Sequence, residues 1–510
     1  MKYKIKDYPD LYEKVQNMDI DELIYTVVCP NVSNDNPDVK INKNTAAVFY
    51  HANDDKTLKE RMAAVNEGRD FPALVVTDVE SGAGFLEHGT TFPSLRACAC
   101  ADSEELAYKM GEISVRECSK LGFQWGFGPC VDILGDPQNP IVLNRCPGSD
   151  PDKVLRIGKA VMQGMQDNGM IAAAKHFPGD GYSSYDQHLT TTVNPLPFPE
   201  WKETFGKVYQ GLIDAGVKSI MPGHISLPSY DDIDPETGIY RPATLSKKLL
   251  TDLLKNELGF EGIIVSDAIN MGGFCGYMER AKACATFLEC GGDLLLFLNP
   301  DEEFLAKMHQ FIDEGYLKKE TLMDRAYRVL CFAREHENCV KDMDCDMEYH
   351  QEIADKITKS AIVVDRDRFN ILPFEIKEGS RILYNILSVR GKADFDDDMV
   401  NELKKLNADV DIIEDAGPDG ISNKIKEGNY DLVISSVRPI VSYGIGSARF
   451  CGTIARNMMC GWQKFGTPVI FVTHTSCFKD EYEAVADTVI NTHGYAKNTA
   501  KYVIEKIIGK

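Results

Sequence analysis

Several charged or imidazole side chains follow directly on short apolar runs: Asp78 after ALVVT, Asp132 after GFGPCV, Lys175 and His176 after IAAA, His224 after SIMPG, and Asp267 after GIIVS. Acids, histidines and a lysine are the groups that move protons, form covalent intermediates or hold polar substrates. A single Asp after a strand is an ordinary cap or turn residue. Several strand ends converging on charges are different, because buried charges cost stability unless a ligand or a reaction uses them. The segment AAAKHFPGDGYSSYDQHLTT carries the densest chemistry. Pro178, Gly179 and Gly181 force an irregular loop after Lys175 and His176, and the loop carries Asp186 and His188. Extended backbone would put these two on one side, so that Asp186 accepts from one ring nitrogen of His188 and orients the other. The bland alternative is a surface hydrogen bond between loop neighbours.

Positioning so many strand ends in one mouth calls for a parallel sheet closed on itself. Eight apolar runs recur in the first 300 residues: Ile24–Val28, Ala46–Tyr50, Ala73–Thr77, Gln124–Gly128, Ile171–Ala174, Lys218–Met221, Gly262–Ser266 and Leu294–Leu298. Between them lie amphipathic helical patterns such as SEELAYKMGEISVRECSKLG and LSKKLLTDLLKNELG. Runs apolar on both faces and separated by helices predict a (β/α)8 TIM-type barrel over residues 1–340. Lys307–Glu337 reads as one or two helices, and the acidic stretch KDMDCDMEYHQE marks a linker edge. A second strand-helix series follows, with strands at Arg381–Leu387, Asp409–Ile413, Asp431–Val437, Val469–Thr473 and Thr488–Asn491. It predicts a smaller α/β domain with a doubly wound sheet over 341–510.

The 510 residues, 44% apolar and 26% charged, fall in the globular range. A net charge of −22 repels phosphate backbones and anionic lipid, so the expected partners include neither nucleic acid nor membrane. The N-terminus has no apolar signal core, and no run approaches the length of a membrane span. The fifteen cysteines are odd in number, sit mostly in apolar runs and form no CxxC pair. Reduced thiols in the cytoplasm are the expectation, with no metal and no cofactor. Oligomeric state is not specified by any of these features. The GIGSAR turn lacks the third glycine of a dinucleotide fingerprint, Arg449 standing there, and the second domain is expected to pack against or cover the site.

The loop resembles the K-H-F-P-G-x-G-x4-D-x-H segment of bacterial β-N-acetylglucosaminidases in glycoside hydrolase family 3. PALVVTDVESG is similar to the family's strand ending in a sugar-binding Asp-x-Glu, and NRCPGSDP to its Asn-Arg turn. RPATLSKKLL resembles the family's helix start, GIIVSDAINMGG its nucleophile strand, and SAIVVDRDRFNILPF the entry to its second domain. The match spans roughly residues 70–335. Asp180 stands where many of these enzymes have His, Gln187 where Ser is usual, and DVESGAG lacks an Arg that often follows.

The resemblance implies Asp267 as nucleophile, His188 as general acid/base with Asp186 as its partner, and Asp78, Arg145, Lys175 and His176 as sugar ligands, with Asp132 and His224 beside them at the mouth. The implied activity is retaining exo-cleavage of a terminal β-linked N-acetylglucosaminide or related hexosaminide through a glycosyl-enzyme. A β-glucosidase or a glycoside phosphorylase of the same family is the alternative, and a sugar-binding protein without turnover is the alternative of another class. A histidine base becomes neutral once its proton leaves and does not repel phosphate, yet no second anion site is visible in the sequence, so hydrolysis is preferred. The catalytic loop, punctuated by Gly and Pro, is expected to be mobile and to close over sugar.

Overall fold

The computed structural model describes residues 3–33, 40–51, 55–69, 72–341, 343–439, 450, 452–458, 461–475 and 486–510. The GIGSAR turn lies outside these residues.

Strands β1 (Val28–Cys29), β2 (Asn31–Ser33), β3 (Ala47–His51), β4 (Leu74–Asp78), β5 (Trp125–Cys130) and β6 (Ile171–Phe177) open the fold. After them come β7 (Thr192–Val193), β8 (Ser219–Pro222), β9 (Ile225–Ser226), β10 (Ile263–Ile264) and β11 (Leu295–Leu296). Seven of them form one parallel sheet in the order β10-β8-β6-β5-β4-β3-β2, while β7 and β9 make a two-stranded ribbon on the loops. Closure comes from two further parallel contacts: Val265 bridges Leu294, and β11 pairs with β1 at Val28 and Leu295. Pro30, which has no N–H to donate, separates β1 from β2 within one strand position. Eight positions thus close into a barrel. Every side chain of β5 and β6 is buried, as expected for strands enclosed by a core inside and helices outside.

The predicted strand at Ile24–Val28 is a correction. Ile20–Thr26 is helical, and strand begins only at Val28. Asp19 accepts from the Glu22 amide at 2.9 Å and Glu22 returns a bond to the Asp19 amide, a capping box that starts a helix there. The segment expected between 307 and 337 is the end of one helix, Glu302–Asp313, and a second, Lys319–His336.

The second sheet has six strands: β12 (Val363–Asp367), β13 (Arg381–Ser388), β14 (Asp409–Glu414), β15 (Leu432–Arg438), β16 (Val469–Thr473) and β17 (Thr488–Asn491). Their order is β12-β17-β16-β15-β13-β14, with β12 antiparallel and the rest parallel. Helices cover both faces, Phe395, Met399 and Val503 packing on one and Ile421, Ile454 and Trp462 on the other. Sequence patterning missed β12 because this edge strand reads VVDRD and is half exposed.

Helix Met347–Ser360 joins the two sheets and lies on the barrel, with Ile353, Ala354 and Ile357 in the barrel's core. Its His350 ring bonds Glu117 Oε1 at 2.7 Å. Further along the junction, Ser94 Oγ donates to the His493 carbonyl and Asn144 Nδ2 to the His474 carbonyl, both at 2.5 Å. Gly494, at φ +127°, fits where a Cβ would come within 2.3 Å of the Pro93 carbonyl oxygen. The junction is therefore closely fitted at the barrel mouth.

Candidate active site

The carboxyl ends of the barrel strands surround a cavity of about 990 Å³. Asp78, Glu80, Arg145, Lys175, His176, His188 and Asp267 supply its charged and imidazole groups. Phe49, Phe85, Phe92, Phe127 and Phe297 supply aromatic surface, and Thr475, following β16 of the second sheet, closes one side. This is the face on which barrel loops carry chemistry.

Lys175 and His176 are consecutive, yet both reach the cavity. Pairing of β6 with β8 slips between Lys175 and Phe177, which breaks the strict alternation of faces. Lys175 Nζ donates to Asp78 Oδ1 at 2.8 Å and Glu80 Oε1 at 2.5 Å. Arg145 clamps the same Glu80 with Nε at 2.8 Å and Nη2 at 2.7 Å. Burial pushes the Glu80 carboxyl up, but Arg145 and Lys175 outweigh it and hold it well below the usual range. Lys175 in turn keeps its proton: burial disfavours the ammonium, and Asp78 and Glu80 more than compensate.

Asp267 follows β10, and its Oδ1 accepts from the Ala268 amide at 2.8 Å. His176 Nε2 lies 3.9 Å from Asp267 Oδ2, too far for a hydrogen bond and close enough for its field to act. Burial raises the Asp267 carboxyl, but His176, His224, the Ala268 amide and Lys175 turn the balance, and the net shift is downward. His224 itself is pushed toward the neutral form, chiefly by burial, so the field on Asp267 is better assigned to His176 and Lys175.

Asp186 is buried while His188 is partly open. Asp186 Oδ1 accepts from His188 Nδ1 at 2.7 Å and also from the His188 main-chain amide at 2.8 Å. The pair therefore forms on a tight turn, with the Leu189 amide bonded to the Asp186 carbonyl at 3.0 Å, and not on extended backbone as expected. The turn is docked on the loop after Asp267: the Gly272 amide donates to the His188 carbonyl at 2.7 Å and the Gly273 amide to the Gln187 carbonyl at 3.2 Å. Two main-chain bonds thus tie the turn to that loop.

Asp132 and His224 differ from expectation. Both are fully buried behind the wall and neither lines the cavity. Asp132 takes the His176 ring at 2.7 Å, the His176 amide at 3.1 Å, the Asp180 amide at 2.7 Å and the Cys130 thiol at 3.1 Å. Cys130, Asp132 and His176 come close enough together to resemble a metal site, but these hydrogen bonds account for their approach. His224 Nε2 faces the Ala268 carbonyl at 3.1 Å and so carries the proton, while Nδ1 faces the Thr244 hydroxyl at 3.0 Å. Chain direction at a strand end does not by itself aim a side chain at the mouth.

The profile of the Glycosyl hydrolase family 3 N terminal domain matches residues 14–332, more than half of the chain. The chain belongs to glycosyl hydrolase family 3. A beta-N-acetylglucosaminidase/beta-glucosidase of Cellulomonas fimi is 32% identical over 330 residues, 61% of this chain, and the match spans only 57% of that protein's length. A beta-hexosaminidase of Hydrogenovibrio crunogenus is 33% identical over 46% of this chain and 66% of its own. Among solved structures, the beta-glucoside phosphorylase BglX is 26% identical, with a TM-score of 0.88 over 99% of this chain and 95% of that one.

Within this family 3 chain, Glu80 and Asn144 entered the sequence analysis only as parts of the Asp-x-Glu and Asn-Arg motifs, Asp180 and Gln187 only as departures, and Thr475 not at all, although Asn144 and Thr475 also line the cavity. Glu80 had a signal in that Asp-x-Glu motif, standing two residues beyond Asp78, just past the end of the strand. Thr475 had none, since it reaches the cavity only because the second sheet docks there. No helix among the described residues is long and apolar enough to cross a membrane.

Proposed function

We propose that the protein is a retaining exo-glycosidase that releases a terminal β-linked N-acetylglucosamine or related hexosamine. Asp267 attacks the anomeric carbon and the glycosidic oxygen departs with a proton from His188 Nε2. Water then gives its proton to the same nitrogen while its oxygen displaces Asp267. The observation that carries this reading is the pairing of Asp267, held ionised, with a carboxylate-bound His188 on the wall of one cavity. Asp186 fixes Nδ1–H of His188 and leaves Nε2 as the working nitrogen. Asp78, Arg145, Lys175 and His176 bind sugar hydroxyls. Asp132 and His224 act from behind, Asp132 by orienting His176 and His224 by holding the carbonyl of Ala268, the residue whose own amide bonds Asp267. The hexosaminide preference is supported by the names of the 32–33% identical relatives. A cytoplasmic site of action fits cysteines that are odd in number and sit mostly in apolar runs, where reduced thiols are expected.

A second reading, attack by inorganic phosphate, is favoured by the likeness to a beta-glucoside phosphorylase over nearly the whole chain. Against it, Arg145 and Lys175 are already engaged by carboxylates. One experiment separates the readings: aryl β-N-acetylglucosaminide and aryl β-glucoside are turned over with and without phosphate, and the sugar product is identified. Free N-acetylglucosamine at a phosphate-independent rate is expected. A sugar 1-phosphate would establish phosphorolysis, and no turnover of either glycoside would return the chain to sugar binding alone. A slow fluorosugar should label Asp267, and a label on any other side chain would remove the nucleophile assignment.

A further inference from the structure

The two departures of the catalytic loop from its family pattern, Asp180 and Gln187, are in contact. Gln187, between the two members of the dyad, is fully buried. Its Nε2 donates to Asp180 Oδ2 at 3.2 Å and its Oε1 accepts from the His224 amide at 2.8 Å. Asp180 is also buried; its Oδ1 takes the Asn139 amide at 2.8 Å and the Gly181 amide at 2.6 Å, and its own amide donates to Asp132. A serine at 187 would end two atoms short of these partners.

We infer that Asp180 and Gln187 form a positioning pair that bolts the Asp186–His188 turn to the barrel interior, so that the dyad is set before sugar arrives. The inference rests on the acid/base reading of His188 given above. The pair ties the turn to the groups around the nucleophile: from Gln187 through Asp180 to Asp132, and from Asp132 through His176 to within 3.9 Å of Asp267. The Gln187 carbonyl, bonded to Gly273, adds a second tie to the loop that carries Asp267. Pre-setting matters because general acid catalysis depends on placement, and an error of about 1 Å can cost about 10²-fold.

Donor and acceptor assignments make the test specific. In Asp180→Asn the new carbonyl stays with the two donors at the Oδ1 position, so the new NH2 faces Gln187 Nε2, donor against donor, at nearly unchanged volume. Gln187→Glu alone sets two carboxylates against each other. Together, Asp180→Asn and Gln187→Glu restore a donor-acceptor pair with its direction reversed and leave an oxygen for the His224 amide.

Pre-steady-state glycosylation is measured on a disaccharide and on a dinitrophenyl glycoside, with His188→Ala in parallel. Each single variant is expected to slow the disaccharide by about 10- to 10²-fold and to leave the dinitrophenyl substrate within about threefold, because a good leaving group departs without a proton. The double variant should recover most of the loss. Equal losses on both substrates, no loss, or no recovery in the double variant would overturn the pair. If Asp180→Asn does not fold, Gln187→Met, which keeps length and burial without hydrogen bonds, is read the same way. His188→Ala without a leaving-group difference would bring down the acid/base reading itself; His188→Ala with that difference, beside unaffected pair variants, would bring down the pair alone.

Discussion

His188 is partly open, carboxylate-bound on one edge and set in a turn, and these are the features that make a proton donor. His188→Ala should lower glycosylation on a natural disaccharide by about 10²–10⁴-fold, the range of general acid catalysis, and spare an activated aryl glycoside in the same step. Asp186→Asn should follow the same pattern more weakly, since it removes the group that orients the imidazole; rapid-quench rates on both substrates decide it. Asp180 makes a separate prediction about pH. Burial and the nearby Asp132 charge push its carboxyl up to about 6, against about 3.9 in an unfolded chain. The folded state therefore binds more protons than the unfolded state between these values, so this group lowers stability as pH rises from about 4 to about 6 and adds no further change above. Asp180→Asn should remove that fall, worth up to about 3 kcal/mol. Urea denaturation of variant and wild type across pH 4–7 reads it as a change in slope, and parallel curves would show that Asp180 does not titrate there.

At the scale of elements, the helices flanking β5 fit through glycine. Gly111 on helix Glu104–Ser119 and Gly164 on helix Pro151–Asp167 lie at their crossing. A Cβ on Gly111 would come within 2.3 Å of the Val161 carbonyl oxygen, and one on Gly164 within 2.1 Å of that of Tyr108. Both contacts are with backbone, which cannot step aside as a side chain can. Gly164→Ala should therefore destabilise by about 1–3 kcal/mol despite the better helix propensity of alanine. Thermal or denaturant melting checks it, and a stabilised variant would mean that the helices separate easily. Most barrel strands were legible because buried parallel strands are continuous apolar runs, and helix Glu104–Ser119 because its caps and period agree. The first predicted strand was misread because four apolar residues, Leu23, Ile24, Val27 and Val28, suit a helical stripe as well as a strand. The capping box decided between them.

For the whole molecule, we propose a boundary at 340/341, with residues 341–346 as the covalent link between two folding units. Lys341, Asp344 and Asp346 are exposed, so limited proteolysis should nick here first. The fragments should nevertheless remain together on gel filtration, because helix Met347–Ser360 is embedded in the barrel core and His350 reaches Glu117. Early cuts within the barrel would show that the boundary is misplaced, and fragments that separate would show that the helix does not bind the halves.

Much of this protein is determined by its sequence alone: the barrel, the doubly wound sheet, and the residue types of the candidate site, since apolar period and local loop motifs depend on neighbours in the chain. The Asp186–His188 bond is two residues long and was readable for that reason, even though the backbone that makes it is a turn. Tertiary structure alone decided which strand-end charges face the cavity. Asp132 and Asp78 both stand at the ends of apolar runs, but Asp132 turns behind His176 while Asp78 meets Lys175 at the mouth. It also decided the Glu80–Arg145 clamp, the Asp180–Gln187 pair, and the entry of Thr475 into a cavity built by residues hundreds of positions away. These depend on distances between segments that the chain brings together only on folding, and no local pattern encodes such a distance.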